Sequence, residues 1–295
     1  MSKIESGSIV VGFDGYADAT LAVQWAAEQA ALEGRSLVVV TAVRPNFGLA
    51  SSDGMGFATS YPVEDLLDRA RVVADEGAEL ARRHRPTITA DGRAVLGDPR
   101  QVLGDASTSA HLLVLGSRGR GIVRSKLGSV SAYISKRATC PVVVCRPGTE
   151  LKVKHGVLVG ADGTNESLPV IEFAFQQAAL RSQPLTVVHC YDRGHPDAED
   201  APPEEAELVL AESVAGFRER YPEVYVQLAA VPGHADNRLA EIADRHDLVV
   251  LGRRPLEGSG PHLAAHAATS VLERSHTPVA VVPEAARVGQ TTVAP

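Results

Sequence analysis

The residues of this chain best suited to chemistry lie in LGSRGRGIVRSKLGSVS, residues 115–131. Gly116, Gly119, Gly121 and Gly128 offer backbone N–H groups with no side chain in the way. A helix is expected to begin at 128–130, with its positive dipole end toward whatever the loop holds. That arrangement suits a polyphosphate. Ser129 adds a hydroxyl for a phosphate oxygen, and Arg118, Arg120, Arg124 and Lys126 surround the loop with positive charge. Asp14, in Gly12-Phe13-Asp14-Gly15, is a second candidate. A carboxylate there accepts hydrogen bonds from a ribose or holds a phosphate-bound cation through water. Both features also have plain structural readings, since solvated arginines occupy many surface loops and Asp before Gly forms turns.

This chemistry requires the loop and the carboxylate to meet at one end of a sheet, and the sequence supplies such elements. Apolar runs at 9–13, 37–43, 88–95, 112–115 and 142–144 alternate with helical stretches near 18–33, 63–85, 99–109 and 130–137. Continuous apolar strands divided by helices predict an α/β fold, a parallel sheet covered on both faces. In such a sheet ligands bind beyond the carboxyl ends of the strands. Gly12, Phe13 and Asp14 close the first strand, Ala42 lies at the end of the second, Gly97 follows the third, and Gly116 to Gly119 follow the fourth. Asp98 before Pro99 is expected to cap the third helix, and Ser129 the fourth.

The pattern occurs twice. IVVGFDG at 9–15 recurs as VLVGADG at 157–163, so that Asp14 falls on Asp162. SLVVVTAV at 36–43 matches PLTVVHCY at 184–191, LLVLGSRG at 112–119 matches LVVLGRRP at 248–255, and CPVVVCRP at 140–147 matches TPVAVVPE at 277–284. The second copy is shorter by about a dozen residues in the loop that follows its second strand, the region of 44–62 in the first. Two domains are expected, at 1–147 and 156–285, with a polar linker at 148–155 and a C-terminal tail at 286–295.

Composition narrows the function classes. A formal charge of -7 argues against general affinity for nucleic acid or anionic lipid. No run approaches the length of a membrane span, and the N-terminus lacks an apolar signal region. Cys140, Cys145 and Cys190 form no CxxC pair and read as small hydrophobes, which fits a reducing cytoplasm. His234, His262 and His266 match no recognised ligand set, so no metal site is expected from protein side chains alone.

Together the glycines, Ser129 and Asp14 resemble the universal stress protein family in its tandem form, over nearly the whole sequence. Its ATP-binding members carry Gly, two residues, Gly, nine residues, Gly, then Ser or Thr, with an Asp after the first strand. Gly116, Gly119, Gly128, Ser129 and Asp14 fall on that pattern. The resemblance implies two Rossmann-like domains of the HUP type, each with a five-stranded parallel sheet. It further implies that Ala42 meets adenine through its backbone, that Leu115 lines the base or ribose, and that Val130 and Ser131 lie near the phosphates. The expected ligand is ATP with Mg2+, and the expected assembly is a homodimer with regulatory protein partners.

Two departures bear on this. Gly119 and Gly128 enclose eight residues where the family has nine, and Tyr16 stands where Ser or Thr is usual. The second copy keeps nine residues between Pro255 and Ala265, yet Pro255 and Ala265-His266 replace the glycines and Ser. Proline removes a donor and alanine adds a side chain at a point of close approach. One ATP per chain is therefore expected, with a nucleotide-free interaction scaffold as the alternative. Signatures of nucleotidyl transferases, ATP pyrophosphatases and Walker enzymes are missing, and no catalytic residue is assigned.

Overall fold

Ile9, Val10 and Val11 are wholly buried, as are Leu112, Leu113 and Val114, and these two runs lie side by side. Burying each such side chain contributes about 1.5–3 kcal/mol, which favours a central strand pair flanked by further strands. The computed structural model describes residues 5–44, 62–117, 127–147, 155–191, 203–253 and 263–284. The chain divides into two units, Met1–Pro147 and Gly148–Pro295.

In the first unit the elements are β1 (Ile9–Gly12), α1 (Ala17–Glu33), β2 (Leu37–Val43), α2 (Val63–His84), β3 (Ala90–Leu96), α3 (Pro99–Ala106), β4 (Leu112–Gly116), α4 (Ser129–Ile134) and β5 (Val142–Cys145). Every neighbouring pair is parallel, in the order β3-β2-β1-β4-β5. The second unit repeats the scheme with β6 (Val157–Gly160), α5 (Leu168–Arg181), β7 (Leu185–Tyr191), α6 (Pro203–Arg220), β8 (Val226–Pro232), α7 (Ala235–Ala243), β9 (Leu248–Arg253), α8 (Leu263–Arg274) and β10 (Val279–Pro283). Its order is β8-β7-β6-β9-β10. No helix among the described residues is long and apolar enough to cross a membrane.

Consecutive strand residues face opposite sides of a sheet, and Gly12 and Phe13 show what covers each side of the first. A side chain at Gly12 would run into Leu103 of α3 and Leu115, whereas Phe13 lies against Gly77 of α2. Helices therefore cover both faces. The second unit reproduces the first contact, with Gly160 set against Leu239 of α7 and Leu251. Helix α1 buries Ala19, Ala22, Val23, Ala26, Ala27 and Ala30, a helical spacing of small residues that lets it lie close to the sheet. The second unit uses larger side chains, stacking Phe175 on Phe217 and Tyr221 at centroid distances of 5.5 and 5.8 Å.

Cys140 and Cys145 are buried. Burial pushes the Cys190 thiol up to about 11, and that of Cys145 higher still, so neither behaves as a nucleophile at neutral pH.

Two glycines of the first unit separate close approach from backbone conformation. A Cβ at Gly116 would lie 2.8 Å from the Asp18 backbone carbonyl, while Gly34 ends α1 in the left-handed conformation with open space around it. Gly34→Ala should cost about 1–2 kcal/mol through left-handed strain. Gly116→Ala should cost about 1–3 kcal/mol by overpacking. In urea melts, Gly34→Asn should be milder than Gly34→Ala because Asn tolerates the left-handed conformation, whereas Gly116→Asn should be no milder than Gly116→Ala because the α1 backbone leaves no room for any Cβ.

Candidate functional site

From β1 the chain moves to β2 and β3 on one side, whereas β4 and β5 occupy the other. The loops leaving β1 and β4 therefore diverge, and this is the topological switch point at which open α/β sheets bind ligands. Pairing of Ile9 with Leu112 and Val11 with Val114 sets the two strand ends side by side. Gly12, Phe13 and Asp14 thus lie next to Gly116 and Ser117. Half-buried Asp14 accepts the Tyr16 N–H at 3.2 Å, in a turn that Gly15 permits with φ of 84°.

The root of the 117–128 loop is tied on three sides. Gly128 N–H donates to the Ser117 carbonyl at 2.7 Å, which brings the two ends of the loop together. The Ser131 hydroxyl donates to the Gly116 carbonyl at 2.7 Å, and the Ser117 hydroxyl to Asp18 Oδ2 at 2.7 Å. Arg118, Gly119, Arg120, Gly121, Arg124 and Lys126 lie outside the described residues.

The other expected site residues divide by role. Leu115 is 3% exposed and packs on Gly12, so its side chain belongs to the core. The Phe13 ring is buried against α2, while its carbonyl accepts the Thr41 hydroxyl at 2.9 Å. Ala42 is half-buried near the end of β2, in register with Val95, and Gly97 N–H bonds the Val43 carbonyl at 2.8 Å. Ser129 is exposed and Val130 half-buried in the first turn of α4.

Ser129 corrects one expectation. It is the first helical residue, and Gly128 is the cap, with no side-chain cap bond. The cause is the Gly128 to Ser117 tie, which holds residue 128 extended as the cap and starts the helix one position earlier than a Ser129 cap would. Asp98 does cap α3, accepting Arg100 N–H at 2.8 Å with Pro99 in the first turn. Sequence reasoning missed the rest of its surroundings: Asp98 also holds Arg100 Nη2 at 2.9 Å and Arg44 Nη2 at 2.5 Å. The Arg100 hydrogen bonds, with those of the backbone and Arg44, hold its carboxyl far below the usual range. Only the short Asp98–Arg100 spacing carried a signal, because Arg44 comes from a distant element.

In the second unit Asp162 accepts both the N–H and the hydroxyl of Thr164, at 3.0 and 2.6 Å. His189 Nδ1 lies 3.0 Å from the Ala161 carbonyl and takes the place of Thr41. At the end of β9 a side chain on Gly252 would meet the Glu284 carboxylate, which is 8% exposed, where Gly116 meets α1. Pro255 and the side chains of Ala265 and His266 lie outside the described residues.

Fold and strand order define a tandem α/β protein with a topological switch point in each unit. The universal stress protein family model matches residues 6–146 and 155–283, and the chain belongs to that family. It is 32% identical to universal stress protein Rv2005c of Mycobacterium tuberculosis over 289 residues, covering 92% of this chain and 96% of the relative. A universal stress protein from Archaeoglobus fulgidus has the same fold at a TM-score of 0.71 and 20% identity, covering 95% of this chain and 99% of its own. A universal stress protein crystallised in complex with cAMP aligns with 43% of this chain and 96% of its own, at 26% identity and a TM-score of 0.37.

Ser131→Ala should destabilise the first unit by about 1–3 kcal/mol, because it leaves the Gly116 carbonyl without its partner. Chemical denaturation measures this, and an unchanged midpoint would show the loop root to be held without that bond. Asp98→Asn keeps a capping side chain and removes the charge. The depressed Asp98 pKa stabilises the fold above the unfolded carboxylate value of about 3.9 and ceases to do so as pH falls through the folded value. The stability gap between parent and Asp98→Asn should therefore be constant from about pH 5 to 8 and close under stronger acid.

Proposed function

We propose that the first domain binds ATP with Mg2+, and that nucleotide occupancy switches what the protein contacts under stress. One observation carries this reading: Asp14 and the root of the glycine-rich loop flank the β1 and β4 switch point of the first unit. The available groups fit such a ligand. Asp14 supplies a half-buried carboxylate, and Ser129 an exposed hydroxyl at the start of α4. Gly128 N–H and the Ser131 hydroxyl act indirectly, holding the loop root in place. Bound there, ATP supplies a polyanion whose charge Arg118, Arg120, Arg124 and Lys126 complement. The role is binding, and no residue is assigned a catalytic step. A cytoplasmic homodimer with regulatory protein partners completes the reading.

The second domain is assigned no nucleotide. The Glu284 carboxylate against Gly252 opposes an anionic phosphate at the end of β9. Pro255 and Ala265 also remove what the loop would need. A nucleotide-free scaffold is the second reading, favoured by the use of Gly128 N–H and the Ser131 hydroxyl inside the protein.

Titration calorimetry with Mg-ATP should give one site per chain. Asp14→Ala should weaken it at least tenfold, as about 1.5–3 kcal/mol is expected for a hydrogen bond to a charged group. No saturable binding by the parent protein selects the scaffold. Two sites per chain would overturn the assignment of the second domain.

A further inference from the structure

The two repeats share one backbone frame at the amino edges of their sheets. His111 N–H bonds the Ser8 carbonyl, as Asp247 N–H bonds that of Gly156. Gly7 bonds Ser109 as His155 bonds Arg245, and Arg35 bonds Ala30 as Gln183 bonds Ala178. On this common frame the side-chain charges are inverted. In the first unit the last residue of α1, Glu33, has a side chain only 9% exposed, with Arg35 Nε and His111 Nε2 each 3.0 Å from its carboxylate. In the second unit that helix position is Arg181, and the position of His111 is Asp247, which accepts Gln183 Nε2 at 3.0 Å.

The glutamine one turn earlier follows the charge. Gln29 and Gln177 occupy equivalent, almost fully buried positions. Gln29 uses its amide nitrogen to donate to Glu33, whereas Gln177 uses its amide oxygen to accept Arg181 Nη1 at 2.6 Å. An amide presents a donor on one side and an acceptor on the other, so the same residue serves either sign.

Tandem repeats with superimposable frames are prone to misassembly, in which an element of one copy docks on the other. If α1 docked on the second sheet, Glu33 would face Asp247. If α5 docked on the first, Arg181 would face His111 and Arg35. Both wrong pairings set like charges together in a partly buried site, whereas in the native units Glu33 is met by Arg35 and His111, Arg181 by Gln177 and Asp247 by Gln183. We infer that the inverted charges at the ends of α1 and α5 keep each helix on its own sheet during folding.

The test makes the two patterns alike and then exchanges them. E33R/R35Q/H111D gives the first copy the pattern of the second, and R181E/Q183R/D247H does the reverse. The sixfold variant combines both sets and restores two different patterns. Each full-length chain is refolded from urea, and misassembled protein is measured by size-exclusion chromatography and near-ultraviolet circular dichroism. Both triple variants should raise the misassembled fraction about tenfold, the change produced by about 1.4 kcal/mol of lost discrimination. The sixfold variant should return to the parent value. Triple variants that refold like the parent would overturn the inference. So would a sixfold variant worse than either triple, because misassembly would then follow lost stability in place of lost distinctness.

Discussion

The pairing of β1 with β4 is the contact on which the rest of the first unit depends. Ile9, Val10 and Val11 lie against Leu112, Leu113 and Val114, wholly buried, so the strand that begins the repeat is held by one that arrives after two intervening strands. The pairing puts Asp14 beside the root of the glycine-rich loop. It also requires the strand ends to be narrow. Leu103 and Leu115 close over Gly12 on one face, and the first turn of α1 presses on Gly116 from the other. These glycines were first candidates for ligand contact, and the structure uses both as points of close packing. Site and core therefore draw on the same residues, and change at either glycine acts on folding before it acts on any ligand.

The second unit shows how much can change while the frame stays. Phe13 and Thr41 become Ala161 and His189, yet the side chain from the second strand still reaches the carbonyl at the end of the first. Gly12 and Gly160 are enclosed by equivalent leucines. Divergence reaches both the interior, where wholly buried Ala27 of α1 becomes wholly buried Phe175 of α5, and the strand ends. At the carboxyl edge Glu284 meets Gly252 where α1 meets Gly116, and at the amino edge the charges of α1 and α5 differ in sign. Interior changes must be matched in volume by their neighbours, whereas changes at the strand ends need only a satisfied partner.

Strand and helix alternation was legible from apolar runs, and β2 was read to the residue because turn signals bound it on both sides. The third strand was read two residues early, since Ile88 and Thr89 have strand-like side chains but precede the pairing of Ala90 with Leu37. The Asp98 cap was legible because it is a local interaction. Arg44 at the same carboxylate was not, as its 54-residue separation leaves no periodic trace.

Sequence by itself determined the duplication, the parallel α/β class, the position of the glycine-rich motif and the replacement of its glycines and serine in the second copy. Each follows from local composition or from comparing the chain with itself. Only the tertiary structure decided which polar groups are already engaged. The Ser131 hydroxyl and Gly128 N–H look from sequence like ligand donors, yet they bond the Gly116 and Ser117 carbonyls. Sequence identifies a donor, but the acceptor is chosen by which chain segments the closed sheet brings within about 3 Å.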